Sequence, residues 1–242
     1  MGEVRRLQPL SADGPSCPFG ICDGSGWIDG PDSYALSCEC REQRIAKARS
    51  RGVSSVVPPK YRGVSFDRPP ITELQPTIVN VVREYVDAVE ANLAAGRGLW
   101  LMGDVGTGKT SLAMLVSKAA LEHGRSVAIY SLPRLLSRIR RTYDADTGEQ
   151  GYDDFIERLT NVDLLHVDDL GAEKSSEWVL EQLYAIVDAR YEQERSMVVT
   201  TNLDQPALEE QIGARTVSRL VEICGDPLPL FGDDLRYRVA GA

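Results

Sequence analysis

One short segment constrains the fold of this chain more than any other feature. Residues 103–110 read GDVGTGKT and match the pattern G-x-x-x-x-G-K-[ST] at every fixed position. The apolar residues 98–102 before this segment predict a β-strand, and residues 109–122 predict a helix. A strand, a glycine-rich loop and a helix in this order form a phosphate-binding loop, whose backbone N–H groups and helix N-terminus face phosphate oxygens. A chance match in a glycine-rich turn is the alternative, and the flanking strand and helix argue against it.

The residues of this loop have separate roles in holding a nucleoside triphosphate. Lys109 supplies a cation to the β- and γ-phosphates, and the Thr110 hydroxyl is a candidate ligand of Mg²⁺. The predicted nucleotide-binding residues are Gly103, Asp104, Val105, Gly106, Thr107, Gly108, Lys109, Thr110 and Ser111. We therefore expect a nucleoside triphosphate and Mg²⁺ at this site.

Two further strands end in polar side chains suited to hydrolysis. Residues 163–167 predict a strand, which Asp168 and Asp169 follow directly. At the carboxyl edge of a parallel sheet, Asp168 would hold the hydration shell of Mg²⁺ and Asp169 would act as general base toward water. Asn202 follows the predicted strand 196–201, where its amide would orient that water or contact the γ-phosphate. The alternative for the acid pair and for Asn202 is helix capping.

Strand and helix patterns alternate along most of the chain. The predicted strands are 98–102, 126–130, 163–167 and 196–201. The predicted helices lie near 77–95, 109–122, 133–142, 152–160 and 173–193. This alternation predicts an α/β fold in which helices flank a parallel sheet on both faces.

Four of the five cysteines cluster near the start of the chain. They are Cys17, Cys22, Cys38 and Cys40. No apolar run approaches the roughly 18 residues that cross a bilayer, so we expect a cytoplasmic protein with reduced thiols. The turn-rich residues between the cysteines cannot bury a core unaided, and a structural Zn²⁺ bound by four thiolates would supply what is missing. Four free thiols are the alternative. Four protein ligands would leave no open position for catalysis.

The net charge of −9 restricts nucleic-acid contacts to local basic patches. The best candidate lies on the predicted helix 133–142 and consists of Arg134, Arg138, Arg140 and Arg141. Positions 134, 138 and 141 share one helical face, which suits contacts with backbone phosphates. A second basic run lies between residues 41 and 62. The alternative for both is a solvated helix face.

Residues 57–238 resemble the AAA+ superfamily of ATPases. Within it they resemble bacterial or phage replicative helicase loaders of the DnaC type and the related insertion-sequence transposition helper ATPases. The motifs behind this resemblance are YRGVSFD at 61–67, the phosphate loop, DDLGAE at 168–173, TTNL at 200–203, IGARTVSRL at 212–220 and GDDLR at 232–236. Most AAA+ proteins have Asp-Glu where this chain has Asp168-Asp169, and Asp-Asp is common among the loaders.

The resemblance implies an ATPase with a reduced lid and a second set of site residues. It makes Asn202 the sensor-one residue, Arg236 the sensor-two arginine, and either Arg215 or Arg219 an arginine finger that completes a neighbour's ATP site. A surface salt bridge is the alternative for each arginine. The finger implies self-association, and the family implies ATP, a replicative helicase and single-stranded DNA as ligand and partners, with no membrane.

These inferences divide the chain into three parts. Residues 1–16 are predicted to be a flexible tail, residues 17–52 a cysteine-rich zinc knuckle with a basic helix or linker, and residues 53–242 the AAA+ ATPase domain. The cysteines favour a helicase loader, because such loaders often have a cysteine-rich element that binds the helicase. A transposition helper that assembles on duplex DNA and recruits a transposase is the alternative. A small-molecule kinase is disfavoured, because no segment indicates an acceptor site.

Overall fold

A computed structural model of the chain describes residues 17–30, 35–49, 56–143 and 148–235. The predicted tail, residues 1–16, and the predicted sensor arginine, Arg236, lie outside the described residues. The chain divides after Ala48 into two compact units, which we call the first and second units. The predicted boundary at residue 52 falls in residues 50–55, which are also outside the described ranges.

The first unit contains a small sheet and a helix. Strand β1 (Trp27–Asp29) pairs antiparallel with β2 (Ala35–Ser37), and helix α1 (Cys40–Arg49) follows. The sequence analysis left a basic helix or a linker open for the end of this segment, and the structure forms a helix there over Cys40–Arg49. The two strands were not predicted, because three residues each are too few to show an alternating pattern.

A five-stranded parallel sheet forms the centre of the second unit. Its strands are β3 (Leu99–Gly103), β4 (Val127–Ser131), β5 (Leu164–Asp168), β6 (Ser196–Thr201) and β7 (Leu228–Leu230). They lie in the order β4-β5-β6-β3-β7. The four predicted strands are all present, displaced by no more than one residue. Strand β7 was not predicted, since it is three residues long and contains a proline.

Helices cover both faces of this sheet, as the sequence predicts. They are α2 (Pro76–Asp87), α3 (Val89–Ala94), α4 (Lys109–Glu122), α5 (Leu132–Tyr143), α6 (Gly148–Asn161), α7 (Glu177–Glu192), α8 (Gln205–Ile212) and α9 (Ala214–Cys224). Because side chains alternate along β3, Leu101 joins the core under α2 and α4, whereas Trp100 joins the core under α5, α6, α7 and α9. Both faces are therefore apolar, which is typical of parallel sheets.

The helices differ from their predictions mainly at the ends. The helix predicted over 77–95 is two helices, interrupted at Ala88, whose backbone (φ −108°, ψ 25°) leaves the helical region. The helix predicted from 173 begins at Glu177, because the Ser176 side chain accepts a hydrogen bond from the Val179 N–H and caps it. None of the helices in the described ranges is long and apolar enough to span a bilayer.

Candidate functional site

The phosphate loop joins β3 to α4 in the second unit. β3 ends at Gly103, and α4 begins at Lys109 after Gly108, whose φ of 88° is in the left-handed region that favours glycine. A methyl group on Gly103 would lie 1.9 Å from the Leu230 carbonyl oxygen. Both glycines are therefore required by the backbone path, which explains two of the fixed positions of the motif.

The amine of Lys109 is held inside this loop. Its Nζ donates hydrogen bonds to the carbonyl oxygen of Gly103, at 2.8 Å, and to that of Asp104, and the side chain is buried. The Thr107 hydroxyl also donates to the Asp104 carbonyl, at 2.8 Å. The loop is thus closed around a buried cation at the N-terminus of a helix, an arrangement that attracts anions.

The segment after β7 supports the loop from the other side. The Asp104 N–H donates to the Leu230 carbonyl (3.1 Å), the Gly232 N–H donates to the Asp104 carboxylate (3.2 Å), and the Leu235 N–H donates to the Gly106 carbonyl (3.1 Å). The sequence analysis missed this contact, because its partners lie more than 120 positions apart. The GDDLR motif at 232–236 was the signal that could have indicated it.

The acid pair lies at the carboxyl edge of the same sheet. The Thr110 hydroxyl donates to Asp168 Oδ1 at 2.9 Å, so the candidate Mg²⁺ ligands of the loop and of β5 are in direct contact. The Thr200 hydroxyl donates to the same oxygen at 2.7 Å. β6 lies between β3 and β5, and Thr200 on β6 therefore sits beside the carboxylate. The sequence analysis assigned no role to this threonine.

The loop and the acid pair line one cavity of about 540 Å³. Of the predicted residues, it contacts Val105, Gly106, Thr107, Gly108, Lys109, Thr110, Ser111, Asp168, Asp169 and Asn202. Its remaining wall is formed by Lys60, Tyr61, Val64, Pro69, Pro70 and Leu235. This wall is largely apolar, so the cavity has a polar end for phosphates and an apolar end that suits a base.

A lysine on α4 holds the apolar end in place. The Lys118 ammonium donates to the Val64 carbonyl oxygen at 2.7 Å and to that of Arg62 at 3.2 Å. The same helix begins with Lys109, so α4 connects the two ends of the cavity. The sequence analysis did not identify this lysine.

His166, on β5, is fully buried in the sheet. Its Nδ1 lies 2.8 Å from the Ser117 hydroxyl of α4, and no described residue pairs with its Nε2. Burial lowers the pKa of His166 to about 4. This histidine is therefore neutral at neutral pH and joins the helix of the phosphate loop to the strand of the acid pair.

The two candidate finger arginines lie one turn apart on α9 and differ in their surroundings. Arg219 forms ion pairs with Asp188 (3.2 Å) and Glu222 (3.3 Å), and its guanidinium lies 4.0 Å from the centre of the Tyr191 ring. Arg215 is exposed. Together they line a cavity of about 350 Å³. The structure thus holds Arg219 by contacts with other residues of the second unit and leaves Arg215 at the surface.

The candidate DNA-binding arginines project from α5. Arg134, Arg138 and Arg141 are exposed, while Leu135, Leu136 and Ile139 of the same helix are buried. The guanidinium of Arg140 lies 4.7 Å from the centre of the Trp178 ring and that of Arg138 lies 5.7 Å from the Phe155 ring. Arg134 and Arg141 therefore present the least restrained cations of this surface.

In the first unit the four clustered cysteines meet. Their sulfur atoms all lie within 4.8 Å of one another, with Cys17 Sγ 3.8 Å from Cys38 Sγ and Cys22 Sγ 3.4 Å from Cys40 Sγ. Four thiolates at about 2.3 Å from a tetrahedral Zn²⁺ would be separated by about 3.8 Å. The donor set and its spacing therefore fit zinc.

Several large apolar side chains are exposed on the first unit. They are Phe19, Ile21, Trp27, Leu36 and Ile45. Leu36 is 52% exposed and Ile21 is 50% exposed, and one face of Trp27 is covered by the Arg41 guanidinium at 4.0 Å. Exposed apolar side chains that form a contiguous patch often mark surfaces that bind other proteins.

Comparison with known proteins identifies the family of this chain. Residues 85–220, more than half of its length, match the family model of the IstB-like ATP binding protein. The chain belongs to this family. The replicative helicase loader DnaC of Escherichia coli K12 is 28% identical over 204 residues, covering 83% of this chain and 80% of the relative. DnaC of Buchnera aphidicola subsp. Acyrthosiphon pisum is 26% identical over 181 residues, covering 74% and 72%.

Solved structures support the same placement. A crystal structure of the DnaC helicase loader aligns with a TM-score of 0.60 and 26% identity, covering 73% of this chain and all of that one. The replication initiator DnaA bound to AMPPCP and single-stranded DNA aligns with a TM-score of 0.59, covering 73% and 51%; at 21% identity it shows the fold alone. The resemblance to AAA+ ATPases of the DnaC type is therefore confirmed, and the family binds ATP.

Proposed function

We propose that this chain is an ATP-dependent loader of a replicative DNA helicase, acting in the initiation of DNA replication. The observation that carries the proposal is the extent of the likeness to DnaC, which covers 80% of the Escherichia coli relative and extends beyond the ATP-binding region at 85–220. The proposal assigns helicase docking to residues 17–52 and ATP hydrolysis to residues 53–242.

The ATPase part of the proposal follows from the cavity in the second unit. Lys109 and the loop N–H groups bind the phosphates, and Thr110 and Asp168, already in contact at 2.9 Å, would hold Mg²⁺. The bound Mg²⁺ would neutralise phosphate charge. Asp169 acts as general base toward water, and Asn202 at the same cavity orients that water. Lys109→Ala should abolish ATP binding, whereas Asp169→Asn should retain binding and lose turnover.

The docking part of the proposal rests on the first unit. A structural zinc bound by Cys17, Cys22, Cys38 and Cys40 would stabilise a segment that has little core of its own. The apolar side chains of the same unit, Leu36 and Ile21 among them, would then bind the helicase. A metal-stabilised module with an apolar exterior is well suited to docking.

Contacts with DNA and with a second copy of the chain complete the proposal. The exposed arginines of α5 would bind the phosphates of single-stranded DNA, since guanidinium groups remain charged and bind phosphate in a bidentate manner. Arg215 or Arg219 would complete the ATP site of a neighbour, and Arg236 would contact the nucleotide in its own subunit. The proposal includes a reduced lid, because the short strand β7 is the only element that follows α9 in the part of the chain that the structure describes.

The second candidate function is that of a transposition helper ATPase. The observation in its favour is the family model itself, which is that of the IstB-like ATP binding protein. The two functions differ in their partners: a loader binds a replicative helicase and single-stranded DNA, whereas a helper binds a transposase and duplex DNA.

Binding experiments with both partners distinguish the candidates. We expect the full chain with ATP and Mg²⁺ to form a complex with the replicative helicase from its own genome in size-exclusion chromatography, and to form none with a transposase. Ile21→Ser with Leu36→Ser should weaken the helicase complex. Val56→Ser, a matched control at an exposed valine of the second unit, should not. A complex with a transposase on duplex DNA, without helicase binding, would overturn the loader assignment.

A further inference from the structure

A buried threonine occupies the position between the phosphate loop and the acid pair. Thr200 lies on β6, which separates β3 from β5, and its side chain is fully buried. In the sheet it pairs with Leu101 of β3. On the other side Val199 pairs with Val167, which brings Thr200 next to Asp168.

The hydroxyl of Thr200 contacts both residues of the acid pair. It donates to Asp168 Oδ1 at 2.7 Å and accepts a hydrogen bond from the Asp169 N–H at 2.9 Å. A hydroxyl has one proton to donate and two lone pairs to accept with, so both bonds form together. Asp168 Oδ1 also accepts from Thr110 at 2.9 Å, so one carboxylate oxygen receives two hydroxyl protons. The orientation of the Asp168 carboxylate is therefore fixed from two sides.

Thr200 also holds the backbone of the second aspartate. Asp169 has a φ of 57°, a left-handed conformation that is uncommon for a residue other than glycine. Its N–H is bonded to the Thr200 hydroxyl, and the N–H of the following residue, Leu170, donates to the Thr200 carbonyl at 2.7 Å. The turn that directs Asp169 toward the cavity is thus bonded to both the hydroxyl and the carbonyl of Thr200. Unusual backbone conformations persist where surrounding contacts determine them, often at functional sites.

We infer that Thr200 is a positioning residue of the ATPase site, whose hydroxyl sets the Asp168 carboxylate toward Mg²⁺ and the Asp169 carboxylate toward the attacking water. This inference rests on the proposed ATPase function. Thr200 itself does not line the cavity, whereas both aspartates and Asn202 do. Asn202, the residue expected to contact the γ-phosphate, follows Thr200 by two positions. The end of β6 therefore links Asn202 to the two aspartates that Thr200 holds.

The neighbouring residue Thr201 provides a matched control. It is also fully buried, and its hydroxyl also makes two hydrogen bonds, donating to the Leu170 carbonyl at 2.7 Å and accepting from the Leu203 N–H at 3.1 Å. It contacts neither aspartate through these bonds. Thr201→Val therefore removes a comparable buried hydroxyl from the same strand, and any general effect on stability should be similar in the two variants.

The test compares Thr200→Val, Thr200→Ser and Thr201→Val in the full chain. The measurements are the melting temperature, the dissociation constants of ATP with EDTA and with Mg²⁺, and kcat and KM for hydrolysis. Residues that orient metal-binding groups typically change metal affinity or activity by about 10- to 100-fold. We expect Thr200→Val to lower kcat, and the gain in ATP affinity from Mg²⁺, by at least about tenfold. Thr200→Ser should restore both.

The outcomes separate this inference from the proposed function. If the wild-type protein hydrolyses ATP and Thr200→Val behaves like Thr201→Val in kcat and in Mg²⁺ dependence, the positioning role is wrong and the ATPase function stands. If the wild-type protein binds no ATP, the proposed function fails and the inference with it. If the valine variant does not fold, Thr200→Ala is used in its place. Alanine also lacks the hydroxyl, but it does not put a methyl group next to Asp168, and the expected result is the same.

Discussion

Acid should destabilise this protein through one buried histidine. His166 is fully buried, and burial lowers its pKa to about 4, whereas a histidine in an unfolded chain has a pKa of about 6.5. At a pH between these two pKa values, His166 is protonated in the unfolded chain but neutral in the folded chain. Lowering the pH therefore favours unfolding. The loss begins as the pH falls through about 6.5 and levels off below about 4.

The size of the effect follows from the two pKa values. One pKa unit corresponds to about 1.4 kcal/mol, so the full loss is about 3 kcal/mol. Between pH 7.5 and pH 5.0 the contribution of His166 is about 2 kcal/mol, a large share of the stability of an ordinary domain. Other groups also titrate within this interval, so a variant that lacks His166 is needed to separate its contribution.

Urea unfolding at pH 7.5 and at pH 5.0 measures this loss. His166→Asn removes the titration and retains a group that can bond to the Ser117 hydroxyl, which lies 2.8 Å from Nδ1. The smaller asparagine side chain lowers the free energy of unfolding at both pH values. We therefore compare, between wild type and variant, the change in this free energy from pH 7.5 to pH 5.0. We expect the variant to lose about 2 kcal/mol less than wild type over this interval. His123→Asn, at the other, exposed histidine, controls for the exchange of a histidine for an asparagine. Equal losses in wild type and His166→Asn would refute the reasoning.

Two further predictions concern the first unit and α5. Purified protein should contain about one zinc ion per chain, since four thiolates complete a tetrahedral site. The double variant Cys38→Ser with Cys40→Ser should lose both the metal and the fold of the first unit. A metal-free protein with an unchanged circular dichroism spectrum would exclude the zinc site. Charge reversal at Arg134, Arg138 and Arg141 should weaken binding to single-stranded DNA and reduce the salt slope by about 2, with ATP affinity unchanged. Equal DNA affinity at low salt would exclude α5 from the interface.

The parts of the site that were predictable are contiguous in the sequence. The loop at 103–110 has its glycines, its lysine and its hydroxyl on adjacent positions, because one turn of chain surrounds the phosphates. Asp168 and Asp169 directly follow an apolar strand, and strand ends at the same edge of a parallel sheet meet in space. Local patterns of this kind also predicted four of the five strands of the second unit, since each alternates with a helix of ordinary length.

The parts that were not predictable depend on the order of the strands. Periodicity indicates that a segment is a strand but does not say which strand lies beside it. Because β6 lies between β3 and β5, Thr200 contacts Asp168, and because β7 lies on the other side of β3, the Leu235 N–H reaches the Gly106 carbonyl. These contacts join residues between 32 and about 130 positions apart. No property of either residue alone indicates its partner.

Helix α4 shows why distant contacts matter to the function of a locally encoded loop. Its first residue, Lys109, belongs to the phosphate loop; Ser117 is bonded to His166 of the strand that ends in the acid pair; and Lys118 holds the carbonyl oxygen of Val64 at the apolar end of the cavity. The two lysines are nine positions apart on the helix, a rise of about 13.5 Å. The helix therefore fixes the distance between the phosphate end and the base end of the cavity, while the buried histidine fixes its position against β5. Because His166 lies on the strand that ends in the acid pair, the loss of stability in acid should be accompanied by loss of the geometry of the site.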